Sequence, residues 1–266
     1  MGLVIERQAK LNDKNKLEFG SWEIGGPRHY YREGLIIKGL KEVLPSGRVV
    51  DVGCGTGSLV MKLAVSGYQV VGIDVSDGCL NITRSRVKQA GLSDKVTVSK
   101  GSAYKISIPD CSVDAVVAGE VLEHLEDDAS AVREFSRVIK PGGICLITVP
   151  ANPNLWNVWD DMAGHVRRYK KEDLVRLFDA YKFRVESVKY WGFPVMRIYH
   201  RLLCLPWAKM TMKKKSLDGN NLDVVTKVGL SSVVTLTIGN IFRVDNLFSR
   251  LPWGIGIVFI ARKYEK

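Results

Sequence analysis

A chain of 266 residues with 46% apolar side chains can bury a sizeable core, which excludes a disordered or fibrous protein and suits one α/β domain with additions. Residues 151–266 hold 20 Lys and Arg against 10 Asp and Glu, whereas residues 49–150 hold 10 against 12, so the net charge of +11 predicts an acidic partner for the carboxyl-terminal part. Five separated cysteines without a C-x-x-C pair exclude a zinc ribbon and a disulfide framework; no apolar run reaches spanning length and Met1–Glu6 lacks signal-peptide features, so cytoplasmic residence is expected.

Residues 1–48 open polar and then carry Trp22, Gly25-Gly26-Pro27 and the pair Tyr30-Tyr31. Leu35, Ile36, Leu40, Val43 and Leu44 recur at helical intervals, which predicts a helix from Tyr31 to Leu44 that caps a ligand cleft and turns Tyr30 and Tyr31 toward substrate. The β-branched run Val49, Val50, Val52 predicts a buried strand, followed by a helix over Ser58–Ser66, a strand over Val70–Ile73 and a helix over Gly78–Ala90. Strands Val96–Lys100 and Val113–Ala118, a helix Glu126–Ile139 and a strand Ile144–Pro150 continue this rhythm, so a doubly wound five-strand sheet is complete by residue 150. Beyond it come a helix Lys171–Ala180, a strand Phe183–Lys189 and a last strand Gly256–Ala261. About sixty-five residues separate those two strands, an insertion long enough to hold a function of its own. The expected division is a cap at 1–48, a ligand-binding α/β core at 49–192, a helical insertion at 193–254 and a final core strand at 255–266, in one domain overall.

The turn after the first strand reads Asp51-Val52-Gly53-Cys54-Gly55-Thr56-Gly57, with Asp74 ending the second strand. Glycines allow a sharp turn and a close backbone approach, and an acid at a strand's carboxyl end can accept both hydroxyls of a ribose. The spacing is not the G-x-G-x-x-G of a dinucleotide site, and Asp51 would repel a pyrophosphate while attracting a cationic amino-acid headgroup. This run resembles motif I of the class I S-adenosylmethionine-dependent methyltransferases. Two further stretches are similar to the same family: Val113–Val117 with Gly119–Leu125 looks like its motif IV, and Val138–Gly143 looks like its turn before strand five. The resemblance implies a Rossmann-like, doubly wound, seven-stranded mixed α/β sheet whose last strand is antiparallel. It also implies S-adenosylmethionine contacts at Asp51, Gly53, Cys54, Gly55, Gly57, Asp74, Val75, Ser102, Ala103 and Glu120. Ser102 departs from the family, which often has an acid there for the adenine amine.

Methyl transfer asks for alignment of a nucleophile with the sulfonium methyl and, for a hydroxyl, a base; His124 and His165 are the candidates. The grouping Glu120-x-x-Glu123-His124, with His165, is similar to that of quinone-pathway O-methyltransferases and small-RNA 2′-O-methyltransferases that bind a divalent cation, so Glu120, Glu123, His124 and His165 are expected to hold one, such as Mg²⁺, if it is used. The alternative is that Glu123 and His124 cap a helix start. Arg167, Arg168 and Tyr169 lie in the loop above the sheet and are expected to meet substrate, because guanidinium groups bind planar anions. Residues 193–216 contain six Lys or Arg and no acid, interleaved with Trp207, Met210 and Met212, the composition of a segment that lies on an anionic membrane surface. The reading is O-methylation of a small or lipid-linked acceptor. An RNA methyltransferase is the alternative, disfavoured by the long apolar runs among the basic residues. A non-catalytic S-adenosylmethionine-binding regulator is a third, since cofactor binding does not by itself mean transfer.

Overall fold

The β-branched runs pair into one seven-stranded sheet in a computed structural model that describes residues 26–215 and 232–265. Its strands are β1 (Arg48–Val52), β2 (Gln69–Asp74), β3 (Val96–Lys100), β4 (Val113–Gly119), β5 (Ile139–Pro150), β6 (Phe183–Trp191) and β7 (Gly256–Lys263), in the order β3-β2-β1-β4-β5-β7-β6. The first five run parallel, and β7 enters antiparallel between β5 and β6. The order reverses at β1, so the carboxyl ends of β1 and β4 flank a crevice where ligands of such sheets bind.

Alternate residues of the central strands enter different apolar clusters. Val49 packs with Ile36 and Leu40 of α1 (Pro27–Val43), Leu59 and Leu63 of α2 (Ser58–Val65) and Leu80 of α3 (Asp77–Gln89). Val50, one residue on, packs with Phe135 of α4 (Asp128–Val138) and Phe178 of α6 (Lys171–Asp179) on the opposite face. Each such fully buried side chain contributes about 1.5–3 kcal/mol, so the period-2 alternation fixes the strand register.

Several boundaries differ from expectation, and three have a clear local reason. Helix α1 starts at Pro27, whose fixed φ suits the first helical position. Helix α4 starts at Asp128 because the side chain of Asp127 accepts from the N–H of Ser130 at 2.9 Å. Strand β5 starts at Ile139, paired with Val113, and bulges through Gly142 at φ 75° before resuming at Ile144. Trp22, Gly25 and Leu230 lie outside the described residues.

The insertion contains α7 (Val195–Tyr199), a π-helical turn (His200–Cys204), α8 (Leu205–Lys215), α9 (Ser232–Ile241) and a 3₁₀ segment (Phe242–Phe248). The side chains of Met212, Lys213, Lys214, Lys215, Val233 and Val234 lie outside the described residues. Buried Asp245 joins its two halves by accepting from the N–H groups of Val195 (2.8 Å) and Met196 (3.1 Å). Helix α9 lies close against α1: a Cβ on Gly239 would come 2.6 Å from the ring of Tyr30. Among the described residues, no helix is long and apolar enough to cross a membrane.

Candidate active site

Gly53, Gly55 and Gly57 all take positive φ (70°, 52° and 84°), a region that other residues enter at a cost. Two of them also lack room for a side chain. A Cβ on Gly53 would sit 2.7 Å from Val121 and one on Gly57 would sit 2.6 Å from Thr83. The N–H groups of Gly53 and Cys54 donate to the carbonyl of Ile73 (2.8 and 3.0 Å), and Thr83 Oγ1 donates to the carbonyl of Gly55 (2.9 Å), so the turn is tied to β2 and α3.

Asp74 completes it. Its Oδ2 accepts from the N–H of Gly55 at 2.8 Å and its Oδ1 from that of Ser76 at 2.9 Å. A carboxylate has about four lone-pair positions, so both oxygens keep capacity for ribose hydroxyls. Burial pushes the Asp74 pKa up, against these backbone donors. Asp51 is buried, its Oδ2 has no hydrogen-bond partner, and burial with Glu33 and Asp74 nearby pushes its pKa well above the carboxylate range. An orphaned buried carboxylate of this kind fits a cationic headgroup, which would restore its charge. Val75 follows Asp74 half-buried, Ala103 is buried, and Ser102 Oγ accepts from the N–H of Tyr104 at 3.1 Å. Cys54 contributes backbone to the turn, while its side chain is buried in the core cluster and burial pushes its thiol pKa up.

Beyond β4 the chain turns sharply at Glu120, a non-glycine residue at φ 60°. Its carboxylate lies 3.5 Å from Arg28 and 3.8 Å from Arg32, a turn apart on α1. Burial works against the charge of Glu120, but Arg32 and Arg28 outweigh it and lower the pKa. Arg28 is held between the rings of Trp159 and Trp191, 5.6 Å from each centroid. The sequence reading missed this pair of arginines; their i, i+4 spacing beside Tyr30-Tyr31 was the available signal.

Glu123, His124 and His165 bring one ligand-type atom each to within 4.8 Å of one another. The rings of His124 and His165 meet edge-on with centroids 4.9 Å apart. Burial, with Glu120 nearby, pushes the Glu123 carboxyl well above its usual range, and neither of its oxygens has a hydrogen-bond partner. Burial and His165 lower His124 to about 4, so its ring is neutral at physiological pH. An unpartnered buried carboxylate beside a neutral imidazole is a donor set that fits a divalent cation. The expected four-residue set is gathered only in part, because Glu120 turns to the arginines.

His165 has a second partner that the sequence reading also missed. Its Nδ1 lies 2.8 Å from Asp160 Oδ1, and the Nε and Nη2 atoms of Arg168 donate to the two oxygens of Asp160 at 2.8 Å each. Asp160 caps α5 (Val158–Ala163) in a capping box with Asn157, and these contacts outweigh burial to hold its pKa near 2. Arg168 is thereby spent within the fold, as is Tyr169, whose buried hydroxyl reaches Leu122 O (3.1 Å) and Asp128 Oδ2 (2.8 Å). Arg167 pairs with Asp128 (2.9 Å) and donates to Glu126 O (2.8 Å). Tyr31 is buried, donates to Asn246 Oδ1 at 2.8 Å and packs edge-on against Phe242. The residues expected at a substrate thus hold the loop and cap in place, and only half-buried Tyr30, with Lys62 over its ring, retains partial exposure without such a bond.

Residues 50–147 match the methyltransferase domain family. Over 156 residues the chain is 31% identical to the ubiquinone/menaquinone biosynthesis C-methyltransferase UbiE of Ectopseudomonas mendocina, covering 56% of this chain and 61% of that one. Over 114 residues it is 33% identical to the ubiquinone biosynthesis O-methyltransferase of Stutzerimonas stutzeri, covering 42% and 49%. The chain thus spans about half to three-fifths of the length of these relatives. The solved structure of geranyl diphosphate methyltransferase in complex with SAM superposes with a TM-score of 0.60 at 14% identity, over 87% of this chain and 84% of that one. The sheet order and the glycine turn with its two acids agree with the family match: residues 50–147 carry a methyltransferase domain within a Rossmann-like, seven-stranded α/β fold.

Proposed function

We propose that the chain transfers the methyl group of S-adenosylmethionine to an oxygen atom of a small or lipid-linked acceptor. The observation that supports it is the adjacency of two unsatisfied sites: Val121 packs on Gly53 of the glycine turn, and the same β4 extension carries Glu123 and His124 to His165. On this reading Asp74 binds the ribose, Asp51 faces the ammonium group, and the Gly53–Gly57 backbone admits the methionine portion. The sulfonium of the donor supplies an electrophilic methyl group. The protein has to align the acceptor, exclude water and take up the hydroxyl proton. His124 and His165 are placed for the last task, His124 as a neutral ring and His165 with Nδ1 engaged by Asp160 so that Nε2 faces inward, 3.9 Å from Glu123.

Alternatively Glu123, His124 and His165 would hold a divalent cation such as Mg²⁺, the ring nitrogens then serving as ligands in place of bases. When bound, it would supply positive charge that eases deprotonation of an acceptor hydroxyl. Turnover lost in chelator and restored by Mg²⁺ is the expected result, and turnover unchanged in chelator removes the cation from the proposal.

A carbon acceptor is the second reading, favoured by the name of the Ectopseudomonas mendocina relative. Incubation with S-adenosylmethionine and a catechol or quinol acceptor, followed by NMR of the product, separates the two: a methoxy signal supports oxygen, a ring-methyl signal supports carbon.

A further inference from the structure

We infer that the outer face of the insertion seats this protein on an anionic lipid bilayer, a property beyond the proposed methyl transfer and independent of it. From α7 into α8 the chain buries one stripe, Met196, His200 and Ala208, against the rest of the protein. The opposite stripe is apolar too. Ile198 is 57% exposed, Leu202 64% and Leu203 58%, with Arg197 and Arg201 exposed between them. A helix that only covers a core has a polar outer side, whereas one lying in a membrane interface shows leucines flanked by arginines on its outer side.

The 3₁₀ segment Phe242–Phe248 extends this face. Asp245 locks it to the start of α7, Arg197 Nη1 donates to the carbonyl of Trp253 at 3.3 Å, and Phe193 packs edge-on against both Phe248 and Trp253. Leu247, on that segment, is 82% exposed. Among the described residues of 193–254, Asp245 is the one carboxylate and it is buried, while the outward charges of Arg197, Arg201, Lys209, Arg243 and Arg250 are all positive.

This pairing of chemistry selects the occupant. Lipid phosphates neutralise the arginines and the acyl region takes the leucines, so one surface satisfies both. A second copy meeting this face about a two-fold axis would bring like charges together. RNA would satisfy the arginines and leave the leucines in water.

The experiment is flotation of the full chain with vesicles of phosphatidylcholine alone and of phosphatidylcholine mixed with phosphatidylglycerol, at low and high salt. The expected result is flotation with the phosphatidylglycerol vesicles, weakened by salt, and little with the neutral ones. Leu202→Glu and Leu247→Glu abolish it, and Arg201→Glu lowers the partition coefficient by about tenfold or more. These side chains are exposed, so the variants keep the wild-type circular dichroism spectrum and melting temperature; if a Leu variant does not, Arg201→Glu carries the test alone. Absence of flotation with phosphatidylglycerol vesicles overturns the proposal, as does flotation indifferent to all three substitutions. A dimer in sedimentation equilibrium that Leu202→Glu dissociates also overturns it, because the face would then be a self-interface.

Discussion

His165 is oriented by Asp160: their 2.8 Å contact engages Nδ1 and leaves Nε2 toward Glu123, while Arg168 holds the same carboxylate from the other side with two bonds. Asp160 touches no ligand in the proposed mechanism and acts through His165. Asp160→Asn therefore lowers turnover by about 10–100-fold, as loss of an orienting partner does, with the dissociation constant for S-adenosylmethionine nearly unchanged. The same change leaves Arg168 without its charge partner, which costs about 3–5 kcal/mol in a buried pair and lowers the melting temperature. His165→Ala separates the two effects: turnover falls as far while Arg168 keeps Asp160. Steady-state kinetics together with thermal melts check both variants.

Asp74 supports the glycine turn and, in the proposal, the ribose. Asp74→Asn replaces a charged acceptor by a neutral one that also has an N–H₂ group facing backbone donors. Hydrogen bonds to charged groups are worth about 1.5–3 kcal/mol, so the dissociation constant for S-adenosylmethionine rises by about 10–150-fold in calorimetric titration.

Gly57→Ala puts a side chain at φ 84° and 2.6 Å from Thr83, the residue that also holds the Gly55 carbonyl. The left-handed conformation alone costs about 1–2 kcal/mol. The expected outcome is a lower melting temperature together with weaker S-adenosylmethionine binding, because the displaced Thr83 releases the turn.

The buried imidazoles make one pH-dependent contribution to stability. Burial and His165 lower His124 to about 4, and burial with Arg28 and Arg168 lowers His200 to about 3. In the unfolded chain both rings take up protons as pH falls below about 6.5, while the folded protein resists until these lower values. At these two rings the unfolded state then binds more protons, so they withdraw stability as pH drops from about 6.5 toward 4, whereas the raised carboxyls of Asp51 and Glu123 contribute with the opposite sign. Asp160 and Glu33, both lowered to about 2, add their loss further down, as pH falls from about 4 toward 2. Thermal melts of wild type and a His200 variant across this range isolate the imidazole contribution as their difference. His200→Phe, which replaces a buried ring whose Nδ1 has no partner, makes that decline shallower.

The spacing of glycines and acids made the glycine turn readable, because each glycine answers a backbone demand that no other residue meets cheaply. Asp51, Gly53 and Asp74 announce themselves in the chain. The strands were readable for a similar reason, since fully buried runs such as Ala115–Ala118 leave little choice of element. The partners across the sheet were not. Asp160 reaches His165 through the geometry of a six-residue helix, and Arg28 reaches Glu120 across 92 residues. Tyr169 and Arg168 look like substrate ligands in sequence because burial is invisible there; their hydroxyl and guanidinium groups are consumed by Asp128 and Asp160. The insertion's basic composition was legible, but which of its apolar residues face outward depended on where Asp245 fastens it.

In the proposed function the glycine turn and the Glu123–His124–His165 group together perform methyl transfer. Its most direct test follows radiolabelled methyl from S-adenosylmethionine into a phenolic or quinol acceptor, with S-adenosylhomocysteine quantified in parallel. Equal amounts of methylated acceptor and S-adenosylhomocysteine are expected, both lost in Asp74→Ala and strongly reduced in His165→Ala. Tight binding of S-adenosylmethionine with no S-adenosylhomocysteine formed from oxygen or carbon acceptors would contradict it and point to a protein that binds the cofactor without using it.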